Sequence, residues 1–204
     1  MAFKLLITAL LSLAGLFSRP GANDADMKIF TFEWNGIIVT VREDGELILS
    51  NYSGDELPSS RLPLTGNVTD MDMNDELCIG VTDTGEIFTS KDGRNWNVNN
   101  FNKTYEGYYS KVRFVGVAVG AGSIAVTGIT DRNAPAVFIS TRGTVWSERP
   151  LNYFQGEEQF ELTELPVGIT ADLKRDEFVL ECTDDVFFIL PPCSHCNRLE
   201  YRGK

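Results

Sequence analysis

Gly85-Glu-Ile-Phe-Thr-Ser-Lys-Asp-Gly-Arg-Asn-Trp96 has the pattern of a β-strand running into a tight turn that closes on a tryptophan. Ile87 and Phe88 lie in a short apolar run of the kind that forms a β-strand. Asp92-Gly93 then supplies a tight turn, because glycine takes positive φ freely and aspartate accepts hydrogen bonds from neighbouring backbone N–H groups. Ser90 can tie its hydroxyl to the same loop backbone. Trp96 opens the next strand with a large apolar surface and one N–H to anchor.

Related segments recur along the chain. Gly45–Ser50 (GELILS), Gly85–Ser90 (GEIFTS), Pro135–Ser140 (PAVFIS) and Asp185–Leu190 (DVFFIL) align at spacings of 40, 50 and 50 residues. Each follows a second apolar run ending in an acidic turn, beginning at Gly36, Asp75, Ser123 and Asp176. That order is what an antiparallel hairpin requires. Candidate first strands begin at Lys28, Val68, Lys111 and Val167. A period of this size marks propeller blades. The reading is an all-β chain, a small β-propeller of about four four-stranded antiparallel blades over residues 27–204.

The pattern Ser-x-Asp-Gly-x-x-Trp, set by Ser90, Asp92, Gly93 and Trp96, resembles the Asp-box of BNR-type propellers in a variant one residue shorter. The third repeat keeps Ser140, Gly143 and Trp146 at the same spacing, with Arg142 in place of the aspartate. The resemblance implies that the box is a structural turn between the third and fourth strands of a blade, with no catalytic part. Asp-boxes also occur in sialidases, and Ser60-Arg61-Leu62-Pro63 is similar to part of their Arg-Ile-Pro motif. The aromatic residue before that motif is absent, and their arginine triad and tyrosine–glutamate nucleophile have no assignable counterpart here.

Two insertions lengthen the period, Asn99–Ser110 (NNFNKTYEGYYS) and Asn152–Leu165 (NYFQGEEQFELTEL). In propellers such connections share a face with the turns between second and third strands, which here carry Asp44, Asp83, Asp131, Asp184 and Asp185. This face is expected to be acidic and to present Phe101, Tyr105, Tyr108, Tyr109, Tyr153 and Phe154 to a protein partner or a glycan. The competing use of these rings is to fold inward as local core.

Net charge is −11, which argues against nucleic acid and anionic membranes as partners. No P-loop, dinucleotide fingerprint or nucleophile elbow is present, and no cofactor is expected. His195 is the single histidine, too few for a triad or a zinc site built on histidine. The four cysteines include Cys193-Ser-His-Cys196, read as a structural disulfide, and Cys78 and Cys182 in apolar runs, read as buried thiols. Residues 1–26 carry Lys4 and the apolar run Leu5–Phe17, which suits a secretory signal or an N-terminal membrane anchor. Three sequons, at Asn51, Asn67 and Asn102, agree with export. The function expected is a non-enzymatic, secreted or membrane-tethered binding module. The alternative is a carbohydrate binder or degenerate glycoside hydrolase. An incomplete ring of blades would expose an edge and predict a homo-oligomer.

Overall fold

The computed structural model describes residues 27–34, 36–55, 57, 59–155, 157–189 and 199–201. Residues 1–26, His195 and the Cys193/Cys196 pair lie outside them. Four sheets follow one another along the chain. The first comprises β1 (Ile29–Trp34), β2 (Ile37–Arg42), β3 (Glu46–Ser50) and β4 (Ser60–Arg61). The second comprises β5 (Val68–Met73), β6 (Cys78–Thr82), β7 (Glu86–Ser90) and β8 (Trp96–Asn100), and a helical turn α1 (Phe101–Thr104) follows it. The third comprises β9 (Val112–Val119), β10 (Ile124–Thr130), β11 (Pro135–Ser140) and β12 (Ser147–Glu148). A separate hairpin, β13 (Asn152–Gln155) with β14 (Glu158–Glu161), precedes the last sheet of β15 (Pro166–Asp172), β16 (Glu177–Cys182), β17 (Val186–Ile189) and β18 (Leu199–Tyr201). Each sheet is an antiparallel meander in which every strand pairs with its sequence neighbour.

The sheets stack face to face, and the burial pattern records it. In the second and third sheets β6 is buried at every position and β10 at all but its last, because both faces are covered. In the first and fourth sheets burial alternates, BiBiBi along β2 and iBiB along β17, because one face alone meets a neighbour. Three hydrophobic clusters fill the three junctions. One holds Val39, Val41 and Leu47 against Met71, Cys78 and Phe88. The next holds Ile79, Val81 and Ile87 against Phe114, Val126 and Phe138. The last holds Val137 and Ile139 against Phe178, Leu180 and Phe187. Among the described residues no cluster joins the fourth sheet to the first. Each fully buried Val, Leu, Ile or Phe contributes about 1.5–3 kcal/mol, so these junctions hold the array together.

First strands line the inner edge, where β9 contacts β5 on one side and β15 on the other. An inner edge strand leaves N–H groups without a sheet partner. Here the Asp70 and Asp72 carboxylates of β5 accept them, from Val117 N at 2.9 Å and from Val119 N at 2.7 Å. The alternating acids of Val68-Thr-Asp-Met-Asp-Met73 thus tie one sheet to the next.

The Ser90–Trp96 turn adds a second tie. Ser90 Oγ accepts from Gly93 N at 2.9 Å, and Asp92 Oδ1 accepts from Arg94 N at 2.9 Å and Asn95 N at 2.7 Å. Trp96 Nε1 donates to Gly93 O at 3.1 Å, and its ring packs on Phe88. These bonds hold the Asp92 carboxyl well below its ordinary range, chiefly through the Asn95 N–H. Gly93 has φ +69°, and a Cβ there would lie 2.8 Å from Val39 Cγ2 in the first sheet. Trp34 Nε1 of β1 donates to Lys91 O in the same turn, at 3.1 Å. The turn is therefore seated on the preceding sheet. The third sheet repeats the device, with Ser140 Oγ accepting from Gly143 N at 2.9 Å and Gly143 at φ +72°.

Three features differ from the sequence reading. The turn of the fourth repeat is one residue shorter, pairing Glu181 with Val186 where the second sheet pairs Val81 with Ile87 across a longer loop. Phe187, not Phe188, therefore occupies the place of Phe88 and Phe138, each packed on the preceding sheet. The second insertion contains a regular hairpin, β13–β14, and the first carries the helical turn α1 directly after β8. Trp146 precedes a two-residue strand instead of opening one, and its buried Nε1 has no hydrogen-bond partner among the described residues.

Candidate functional site

The two ends of the stack carry different loops. Glu86 pairs with Asn100 in register, and Phe101 N donates to Gly85 O at 2.9 Å. The first insertion therefore leaves from the same end as the β6–β7 turn, opposite the Ser90–Trp96 turn. Asp131 N donates to Lys111 O at 2.8 Å, which brings the β10–β11 turn to that end as well.

A groove opens there. Asn102, Glu106–Lys111, Asp131 and Arg132 line it. Lys111, Arg132, Glu106 and Asp131 are all exposed, so both signs of charge stand around a polar floor. Tyr108, 84% exposed, stands at its rim. The groove's shape is held from below. Asn102 Nδ2 donates to Val112 O at 2.9 Å and to Thr84 O at 3.1 Å, and its Oδ1 accepts from Val112 N at 2.8 Å. Asn100 Oδ1 caps α1 by accepting from Lys103 N at 2.9 Å.

The six aromatic residues named from the sequence divide sharply. Phe101 is buried (1% exposed) among Tyr105, Phe114 and Phe138, with ring centroids 4.7 to 5.3 Å away. Tyr105 and Tyr109 are half-buried against the same cluster, and Tyr105 Oη accepts from Trp146 N at 2.9 Å. Tyr153 packs on Phe187, Tyr201 and Phe160. Surface is left to Tyr108 and to Phe154, which is 39% exposed on the β13–β14 hairpin. The structure does not gather the six on one surface.

Two of the five acidic turn residues, Asp44 and Asp83, are occupied with backbone. Asp44 Oδ1 accepts from Glu46 N at 3.1 Å, and Asp83 Oδ1 from Asn67 N at 2.8 Å. Arg61, the residue compared with the sialidase arginine, donates to Asp44 O at 2.9 Å and pairs with its carboxylate at 3.3 Å. Buried Glu86 accepts from Thr65 N, Gly66 N and three threonine hydroxyls. Asp131, in the groove, is exposed, as is Asp184.

Sequence reasoning missed Lys111 and Arg132 as groove residues and Asp70 and Asp72 as ties between sheets. The repeat alignment placed Lys111 at the head of a strand. Nothing in the sequence set it beside Arg132, which comes from another loop. Burial pushes the Asp70 carboxyl up to about 6. A value of that kind suits a general acid, yet this carboxyl sits between two sheets and accepts from Val117 N and Met71 N. Its position serves assembly. Burial also pushes the Cys182 thiol up to about 12 and raises Cys78, so neither is a thiolate nucleophile at neutral pH. Both are free thiols, and among the described residues no three His, Cys, Asp or Glu side chains form a metal-holding group.

Comparison with solved structures identifies the architecture. The β-propeller domain of Cps50 (Swd1) from Myceliophteria thermophila is similar with a TM-score of 0.52 at 12% identity, over 76% of this chain and 51% of that one. The Pan2 WD40 domain of Neurospora crassa gives 0.55 at 9% identity, over 86% of this chain and 52% of that one. BBS1N, solved in complex with ARL6DN, gives 0.51 at 12% identity, over 82% and 51%. The fold is that of a β-propeller repeat protein, and this chain spans about half the length of each of these propeller chains. No family model and no curated protein matches the sequence.

Proposed function

We propose that this chain is a non-enzymatic protein-binding module, and that its partner docks on the end of the stack formed by Tyr108, Lys111, Asp131 and Arg132. The observation that carries the reading is the groove itself. A rigid, hydrogen-bonded base supports an exposed tyrosine with two cations and two carboxylates around it. Tyrosine and arginine are the residues that most often anchor a protein interface. Rigid blades holding variable loops suit that role. One of the similar propellers, BBS1N, is itself described in complex with a protein.

Three finer statements belong to the proposal. The Ser90–Trp96 turn is an Asp-box of the BNR type, because its serine, aspartate and glycine cap the turn and its tryptophan packs on the blade. Residues 1–26 direct the chain out of the cytoplasm or tether it to a membrane. The Cys193/Cys196 pair is oxidised there.

The test is recovery of partners from the native source with the intact protein and with Tyr108→Ala. A protein retained by the first and lost by the second supports the module. A second reading, glycan binding, draws on the same exposed ring, since sugars stack on tyrosine faces. Saturable binding on a glycan array, lost in Tyr108→Ala, would replace the protein partner with a sugar.

A further inference from the structure

We propose that Asn67 is the acceptor of an N-linked oligosaccharide, and that the sequon at Asn102 serves the fold and carries none. The inference rests on the proposal that residues 1–26 lead the chain out of the cytoplasm, and does not depend on the groove.

Three asparagines begin Asn-x-Ser/Thr sequons, at positions 51, 67 and 102, and the motif alone treats them alike. Their amides differ in how many N–H groups the fold uses. Glycosylation turns the side-chain NH2 into a substituted N–H, so one donor is lost and a bulky polar group must reach solvent. Asn102 uses both donors, on Thr84 O at 3.1 Å and Val112 O at 2.9 Å, while its Oδ1 accepts from Val112 N at 2.8 Å. Its nitrogen also lies so close to the Gly85 backbone that a Cβ there would fall 2.1 Å from it. A sugar on that nitrogen would break one of the two bonds and leave its carbonyl unpaired. Asn51 uses one donor, on Asp55 Oδ2 at 3.0 Å, and its Oδ1 accepts from Asp55 N at 2.9 Å.

Asn67 uses none. Its side chain is exposed and has no hydrogen-bond partner among the described residues. Its backbone is pinned, with N donating to Asp83 Oδ1 at 2.8 Å and O accepting from Asp83 N at 3.0 Å. A fixed backbone at the head of β5 thus offers a free amide to solvent, at the end of the stack that carries the β6–β7 turn. Thr69 Oγ1, which completes this sequon, donates to Val81 O at 3.2 Å in the folded chain. Transfer therefore belongs to the entering chain, before β5 pairs with β6, and folding then decides which modified asparagines persist.

The donor is a lipid-pyrophosphate-linked oligosaccharide, and a membrane transferase brings it to the chain. The Asn67 amide nitrogen forms a bond to C1 of the first sugar as the bond from C1 to the phosphate oxygen breaks. The lipid pyrophosphate leaves, and the amide gives up one proton.

The test is production of the full chain in a eukaryotic secretory host, once with its own N-terminus and once behind an added secretion leader. Enzymatic deglycosylation in heavy-oxygen water converts each formerly glycosylated asparagine to a mass-tagged aspartate, and peptide mass spectrometry locates the tag. Folded, secreted protein should carry the tag at position 67 and none at position 102. Asn67→Gln should remove the mass of one glycan and leave the thermal transition in place. An untagged Asn67 in chains that have entered the secretory route would overturn the assignment while leaving export standing. A tagged Asn102 in protein with an unchanged thermal transition would overturn it equally. Entry only behind the added leader would refute export by residues 1–26, and the tag in those chains would still decide between the asparagines.

Discussion

Asp70 offers the sharpest test of how the sheets are joined. Its carboxyl is raised from 3.8 to about 6, first by burial between β5 and β9, while bonds from Val117 N and Met71 N pull it down and the Asp72 charge adds to the rise. The folded chain therefore keeps a proton on Asp70 at a pH where the unfolded chain has released it. Folded stability from this site is full below the unfolded value near 4 and is lost as pH rises through about 6. A shift of about two units corresponds to roughly 3 kcal/mol. Asp70→Asn removes the titration. The amide oxygen still accepts from Val117 N, and the amide nitrogen forfeits the Met71 bond, a pH-independent loss of about 1 kcal/mol. Urea unfolding of both proteins from pH 4 to pH 7.5 measures the difference. The variant is expected to gain about 2–3 kcal/mol relative to the parent across that range, most of it between about pH 4 and pH 6. A difference independent of pH, or one favouring the parent as pH rises, would refute the placement of this carboxyl in the junction.

Two further outcomes concern the turn that seats the second sheet on the first. Asp92→Ala should lose about 1–2 kcal/mol of stability by denaturant unfolding, through the N–H groups it leaves unpaired, and should retain partner binding per folded molecule. A folded variant without binding would make that turn part of the site. Gly93→Ala should cost about 2–4 kcal/mol, since it meets both the left-handed backbone and the Val39 side chain. A neutral result would show that the turn does not rest on the first sheet.

Much of the fold was legible because the strands carry their own punctuation. Val68–Met73 is one strand in both readings, and the other first strands agree to within one residue at each end. The box turn stood out because serine, aspartate, glycine and tryptophan each have one local task there. The fourth repeat was misaligned by one position because Val186, Phe187 and Phe188 are all apolar. Which of them faces inward is set by the length of the turn before them, a difference of one residue that reverses every side chain. The site was less legible. Phe101 and Tyr109 sit in a polar loop like Tyr108, and only the packing of Phe114 and Phe138 beneath them decides which ring turns inward. Lys111 and Arg132 meet through a bond between two backbones, Asp131 N to Lys111 O, which no local pattern encodes.

On this reading a partner is held at the end bearing the groove and not at the end bearing the boxes. Titration of the recovered partner against Tyr108→Ala, Arg132→Ala and a control, Arg94→Ala on the box turn, tests it most directly. Binding should weaken by about tenfold or more for each groove variant and stay unchanged for Arg94→Ala. Unchanged affinity in both groove variants, with loss in the control, would place the binding surface at the opposite end and contradict it.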